Sequence, residues 1–251
     1  NNYSPLYYDE SNNIVNPVYT GSWDGITFVE KVTSNPVWIL LYLLTNPVNG
    51  LGERVKMENI DIWGFYNSAK YCDELLPVTI DGVSTTRPRY TFDWQFLERV
   101  DAWTLLSEVA GAMNAQLVYM GDRISINMDR PGTADMVITQ DSVIEGKITW
   151  SGSSRKDLKT VASVKWYNPN NNYKAEEVTV TADEYFGAGA GYITKYGYNI
   201  HSVTAIGCTT EAQAIRYARW ILEQSLTSTA ICKFKMGFNG FCLQPGQLLI
   251  V

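Results

Sequence analysis

Apolar positions recur at helical spacing in four stretches of the chain and alternate in several others. Asn35 stands ahead of Pro36, a capping residue followed by proline at the first helical position. Val37, Leu40, Leu41 and Leu44 then share one face, which predicts a helix that Asn46 and Pro47 stop. Asn49, Gly50, Leu51 and Gly52 read as a turn. Ile62, Phe65, Ala69 and Cys72 recur at spacings of three and four, predicting a helix over 59–74 with the cysteine inward. Residues 86–94 alternate as a strand with Tyr90, Phe92 and Trp94 on one side. Asp101 caps a third helix over 102–113, with Leu105, Leu106, Val109 and Met113 as its inner stripe. Residues 116–119 and 123–127 flank Gly121 and Asp122 as a hairpin.

The period changes beyond Pro131. Strands are predicted over 143–150, 158–167 and 174–181, the last two joined by an asparagine-rich turn at 168–172. Residues 185–198, rich in glycine and aromatics, read as an ordered excursion. Thr210 caps a long helix over 210–224, with Ala214, Tyr217, Ala218, Ile221 and Leu222 inward. Further strands are predicted over 227–236 and 247–251, and β-like patches over 14–19 and 25–31.

These elements predict an α+β chain. Residues 57–131 form an inserted α+β domain. Residues 132–251 form an antiparallel sheet, or a partly open barrel, with one helix packed across it. Residues 1–56, including the first thirty, are expected to complete that sheet-rich part. The opening Asn1 and the strand-like ending lead to the expectation of a segment from a longer polypeptide.

Composition narrows the function. Among 251 residues, 26 Asp and Glu against 20 Lys and Arg give a net charge of −6, which argues against a free-standing nucleic-acid groove. No uncharged apolar run is long enough for a membrane helix, and no signal peptide opens these residues. Sixteen Tyr and eight Trp exceed expectation and suit surfaces made for partners. Four sparse cysteines, Cys72, Cys208, Cys232 and Cys242, read as free thiols in a reducing compartment.

Candidate chemistry is thin. His201 is the single histidine, so neither a zinc site nor a serine triad has its partners. A pairing of Cys208 with His201 is formally open, and Cys232 with Cys242 reads as core. Asp73 with Glu74, and Asp183 with Glu184, are adjacent in sequence, which in a strand points them to opposite faces. Residues 187–191 look like a phosphate loop but lack the following Lys-Ser or Lys-Thr and are expected to open onto Tyr192, Ile193 and Thr194 and not onto a helix. The expectation is no enzyme and no catalytic, cofactor-binding or metal-binding residues. The aromatic excess keeps one alternative open: a carbohydrate-binding module or a glycan-degrading domain.

Several blocks, in order, carry a resemblance. Asn35, Pro36, Val37 and Trp38 run through Leu43, Leu44, Thr45, Asn46 and Pro47 to Gly50, Leu51 and Gly52. Asp101 and Ala102 lead to Val109, Ala110, Gly111, Ala112 and Met113, then Gly121 and Asp122, then Arg130, Pro131 and Gly132. Val164, Lys165, Trp166, Tyr167, Asn168 and Pro169 form a third block. Gly207, Cys208, Thr209 and Thr210 with Ala212, Ala214 and Arg216 form a fourth, which ends in Leu243, Gln244, Pro245, Gly246 and Gln247. Together, over about residues 32–251, they resemble the tail tip, or host-specificity, proteins of long non-contractile phage tails. Gln247 stands where that family usually has aspartate.

The resemblance implies a structural part of a trimeric tail-tip hub, related to the baseplate hub of contractile tails, with barrel-like hub domains. It implies a role in closing the tail tube, supporting receptor-binding parts and genome ejection. The implied partners are copies of itself in a homotrimer, the tube-end and other tail-tip proteins, and the tape measure protein. It implies neither sequence-specific nucleic-acid binding nor membrane binding by this segment. The implied location is the virion's tail tip, assembled in the host cytoplasm, from a phage or prophage gene.

Overall fold

A computed structural model describes residues 2–5, 7–8, 14–15, 23–80, 82–96, 100–152, 154, 157–243 and 245–251. Residues 16–19 of the first β-like patch, and Gln244, lie outside the described residues. Contacts divide the chain into two units, Asn1–Asp129 with Ile206–Thr209, and Arg130–Ala205 with Thr210–Val251.

In the first unit, β1 (Asn2–Pro5) pairs antiparallel with β4 (Phe28–Lys31), and β2 (Tyr7–Tyr8) with β3 (Ile14–Val15). These segments were expected in the C-terminal sheet; they lie in this unit instead. The anchor is aromatic. Trp23 is buried, and its ring meets Phe28 at 5.3 Å and Trp38 at 6.1 Å, both edge-on.

Helix α1 (Pro36–Thr45) buries Val37, Trp38, Leu40, Leu41 and Leu44, so it is enclosed on more than one face. Asn35 is buried and ties two helices together. Its Oδ1 accepts from the Val37 amide at 3.0 Å, and its Nδ2 donates to the Ala69 carbonyl at 3.0 Å in α2 (Ile62–Asp73). Asn35→Ala should therefore lower stability by about 1–3 kcal/mol in urea unfolding, since it removes a cap and the buried side-chain hydrogen bond that joins the two helices. Asp61 caps α2, accepting from the Gly64 amide at 3.1 Å and the Ser125 hydroxyl at 2.8 Å.

The strand expected at 86–94 is displaced. A hairpin joins β5 (Leu75–Ile80) to β6 (Val83–Pro88), around Gly82 at φ +78°. Beyond β6 the chain runs without ladder pairing but is pinned by its amides. Tyr90 donates to the Cys72 carbonyl at 3.1 Å, Phe92 to Ser34 at 2.8 Å and Asp93 to Gly207 at 2.9 Å. Phe92 is buried while Trp94 is 40% exposed, because strand alternation does not extend there.

Asp101 caps α3 (Ala102–Gly111), accepting from the Thr104 amide at 3.1 Å. Helix α3 packs on α1 and on β7 (Ala115–Met120), which turns at Gly121 into β8 (Arg123–Met128). Leu106, Val109 and Met113 enter one core with Phe65, Cys72 and Phe92. Leu106→Ala should cost about 2–5 kcal/mol in the same measurement; a cost near zero would show that α3 does not bury this face.

Among the described residues the second unit holds three small sheets. Strand β9 (Met136–Val137) pairs parallel with β15 (Leu249–Ile250), and β10 (Thr149–Gly152) antiparallel with β14 (Ala230–Lys233). The third has the order β12-β11-β13, from β11 (Val161–Asn168), β12 (Lys174–Thr181) and β13 (Ile200–Thr204). The expected β11–β12 hairpin is present, whereas β13 pairs parallel with β11. Between β12 and β13, residues 185–198 fold around α4 (Ala182–Phe186) and α5 (Tyr192–Tyr196), making a crossover. Strand β13 runs antiparallel to β12 but lies on the far side of β11, so it pairs parallel with β11 and the sheet is mixed and not antiparallel. Among the described residues no sheet closes into a barrel.

Helix α6 (Glu211–Thr227) packs across β11 and β12, burying Ala214, Ala218, Ile221 and Leu222 against them. Thr210 occupies its N-cap position without a side-chain capping bond. The helix runs three residues past 224, which shortens the strand expected at 227–236 to β14. The strand expected at 143–150 is mostly turn, because Glu145 at φ +59° and Gly146 at φ +58° leave the extended region.

Candidate functional site: dispersed chemistry and an exposed surface

The reactive residues do not converge. Cys72 is buried with its Sγ 3.8 Å from the Met113 sulfur, Cys208 is buried, and Cys232 is half-buried. None of these three cysteines is in a disulfide. The Cys242 side chain lies outside the described residues. His201 is exposed on β13. Among the described residues no group of His, Cys, Asp or Glu is arranged to hold a metal ion, and no helix is long and apolar enough to cross a membrane.

The adjacent carboxylates have structural duties. Glu74 pairs with Arg89 at 2.5 Å. The Asp183 carboxylate accepts from the Tyr192 amide at 2.6 Å and the Ile193 amide at 3.4 Å. The glycine-rich stretch thus opens onto α5 after all, but the chain's own carboxylate occupies the amides that a phosphate would need. A run of five such residues carries no signal for this in sequence; the Asp183 contact spans nine positions.

Perturbed protonation follows packing. Burial, with Glu223 beside it, raises the Tyr185 hydroxyl, and burial raises that of Tyr217. Burial opposes the charge of Arg89, but the Glu74 hydrogen bond and the attraction of Tyr71, Glu74 and Tyr90 together outweigh it and raise the group above its ordinary value. Hydrogen bonds from Thr27 and Ile26 lower Asp24. None of these makes an acid–base pair of the kind that divides proton-transfer roles.

The surface is more informative. Trp63, Trp103, Tyr119, Trp150, Tyr173 and Tyr198 are all at least half exposed, on six different elements or turns. Trp63 belongs to the cluster of Trp23, Phe28, Trp38 and Tyr66, which fills core space; Tyr66 stacks on Trp23 at 5.4 Å. In the second unit an open cleft of about 500 Å³ is lined by Lys147, Lys233, Lys235, Thr149, Glu145 and Ile144, together with Phe234.

The ordered sequence blocks fall on caps, turns and core. The first builds α1 and its exit, the second α3, the third β11 and its turn, and the fourth the Ile206–Thr209 segment and the start of α6. At the last block, the Leu248 amide donates to Asp135 at 3.0 Å, while the Asp135 amide donates to the Leu248 carbonyl at 2.7 Å. Residues 101–251 match the family model Phage-tail_3, putative phage tail protein. The chain belongs to this phage tail protein family.

It is also 33% identical, over 93% of its length, to tip attachment protein J of Escherichia phage SECphi27. It is 30% identical, over its whole length, to tip attachment protein J of Escherichia phage SECphi4. The chain spans 18% and 20% of the length of these relatives, about a fifth.

Proposed function

We propose that this chain is a structural part of a phage tail tip. The observation that carries this is the alignment of nearly the whole chain with two tip attachment proteins at about a third identity. In the finer form of the reading, three copies surround the tail axis as a hub. They close the tube and support the receptor-binding parts and genome ejection. Other copies, the tube-end and neighbouring tail-tip proteins, and the tape measure protein are the partners. No catalysis and no cofactor is assigned.

The physics of a closed ring supports the proposal. Short, edge-bearing sheets are a liability for a free protein, and assembly around an axis covers their edges. Aromatics spread over the surface fit broad contact with neighbours. A sugar-binding module instead gathers a few aromatics beside polar groups in one groove. Cryo-electron microscopy of the complete tail tip tests the reading. Three copies of residues 32–251 around the axis are expected. A peripheral position with glycan seated in a groove would overturn it and favour the carbohydrate-binding alternative.

A further inference from the structure

We propose that the β10–β14 ribbon of the second unit is a docking site for an extended, acidic polypeptide segment that adds to it as a third strand. The inference goes beyond the tail-tip reading and does not depend on it.

The ribbon is incomplete by the usual standard of a sheet. It has two strands of four paired residues, and among the described residues neither strand has a second neighbour. Two-stranded ribbons of this length are marginal unless another strand or element covers them. All four residues of β10 are exposed, Trp150 by 59%, and Ile231 on β14 by 55%. The chain after Lys235 then carries no charge for the rest of its length. It presents Phe238 and Phe241, 87% and 86% exposed, with ring centres 5.7 Å apart. Unpaired backbone edges beside exposed apolar side chains are the features that strand addition uses.

Charge selects the occupant. Lys147, Lys233 and Lys235 line the cleft, and Glu145 is its one acidic residue. Among the described residues, none of the three ammonium groups has an ion-pair or hydrogen-bond partner. Because the chain as a whole carries −6, this cationic patch is set within an acidic protein. A long nucleic acid would meet like charge beyond the cleft, whereas a short acidic segment needs only the cleft. The register places Lys233 opposite Thr149 on one face and Trp150 opposite Cys232 on the other. The matching strand alternates acidic residues toward the lysines with apolar residues toward Trp150.

Fluorescence anisotropy of the 251-residue chain tests this with a labelled peptide of about ten residues alternating glutamate and valine. The peptide should bind, more weakly as salt rises, and the triple substitution Lys147→Gln, Lys233→Gln, Lys235→Gln should weaken it about tenfold or more. Hydrogen exchange should slow within 149–152 or 230–233 when peptide is added. The lysines are exposed, so the variant should keep the parent's thermal unfolding; Lys233→Glu alone provides a second, milder variant with the same expected direction. Failure of the peptide to bind, binding indifferent to both variants, or unchanged exchange in the ribbon would overturn the proposal. So would equal or tighter binding of oligothymidine or of vesicles of anionic lipid, which would assign the patch to nucleic acid or membrane. Concentration-dependent dimerisation lost in the triple variant would assign it to a second copy and equally overturn a separate acidic partner.

Discussion

Trp38→Ala should destabilise the first unit by about 3–5 kcal/mol, read as a lower urea midpoint at unchanged slope. Trp38 is 1% exposed, in the first turn of α1. Its ring meets Trp23 at 6.1 Å and Phe28 at 6.2 Å, both edge-on. Truncation loses the transfer free energy of the ring and leaves a cavity among other rings, which do not collapse easily into the space. Trp38→Phe keeps most of the volume and an edge-on partner, so its cost should be clearly smaller. Equal costs for the two substitutions would show that Trp38 does not hold this cluster together.

Gly50→Ala should cost about 3 kcal/mol or more, because the added methyl has nowhere to go. A Cβ at Gly50 would lie 2.1 Å from the Leu43 carbonyl oxygen and 3.0 Å from that of Asn46. These are backbone atoms at the end of α1, and the Leu43 oxygen already accepts from the Leu51 amide at 2.8 Å. Relief requires moving the exit of the helix, not turning a side chain. Gly52 is similarly confined, with the Thr45 carbonyl oxygen 2.2 Å from its built Cβ. Gly111→Ala is the contrast. It stands at the end of α3 with open space around it, and should be neutral or stabilise by up to about 1 kcal/mol. Thermal unfolding of the three alanine variants separates close backbone approach from mere glycine content.

Reading the sequence succeeded where the signal is local. The caps at Asn35 and Asp101 and the apolar stripes of all three helices lie within a few helical turns, so α1, α2 and α3 are legible from spacing, whereas the Asp61 cap is seen only in the structure. The β7–β8 and β11–β12 hairpins are legible for the same reason, since their partners are joined by short turns. For the chemistry, counting shows a single histidine and so no choice of imidazole base, whereas the placement of the carboxylates is not legible in sequence. Glu145 and Gly146 mark the limit, because their left-handed conformation breaks a stretch whose residues alternate as a strand should.

By itself, then, the sequence determined the four long helices, two of the hairpins, the acidic balance and the single histidine. Tertiary structure decided which distant segments meet. It set β13 parallel to β11, paired β9 with β15 across more than a hundred residues, and placed the Ile206–Thr209 segment in the first unit. It also brought Lys147 into one cleft with Lys233 and Lys235. Hydrophobic pattern specifies a face and turn chemistry specifies a neighbour, but neither carries the identity of a partner far along the chain. That choice is made by burial summed over the whole core.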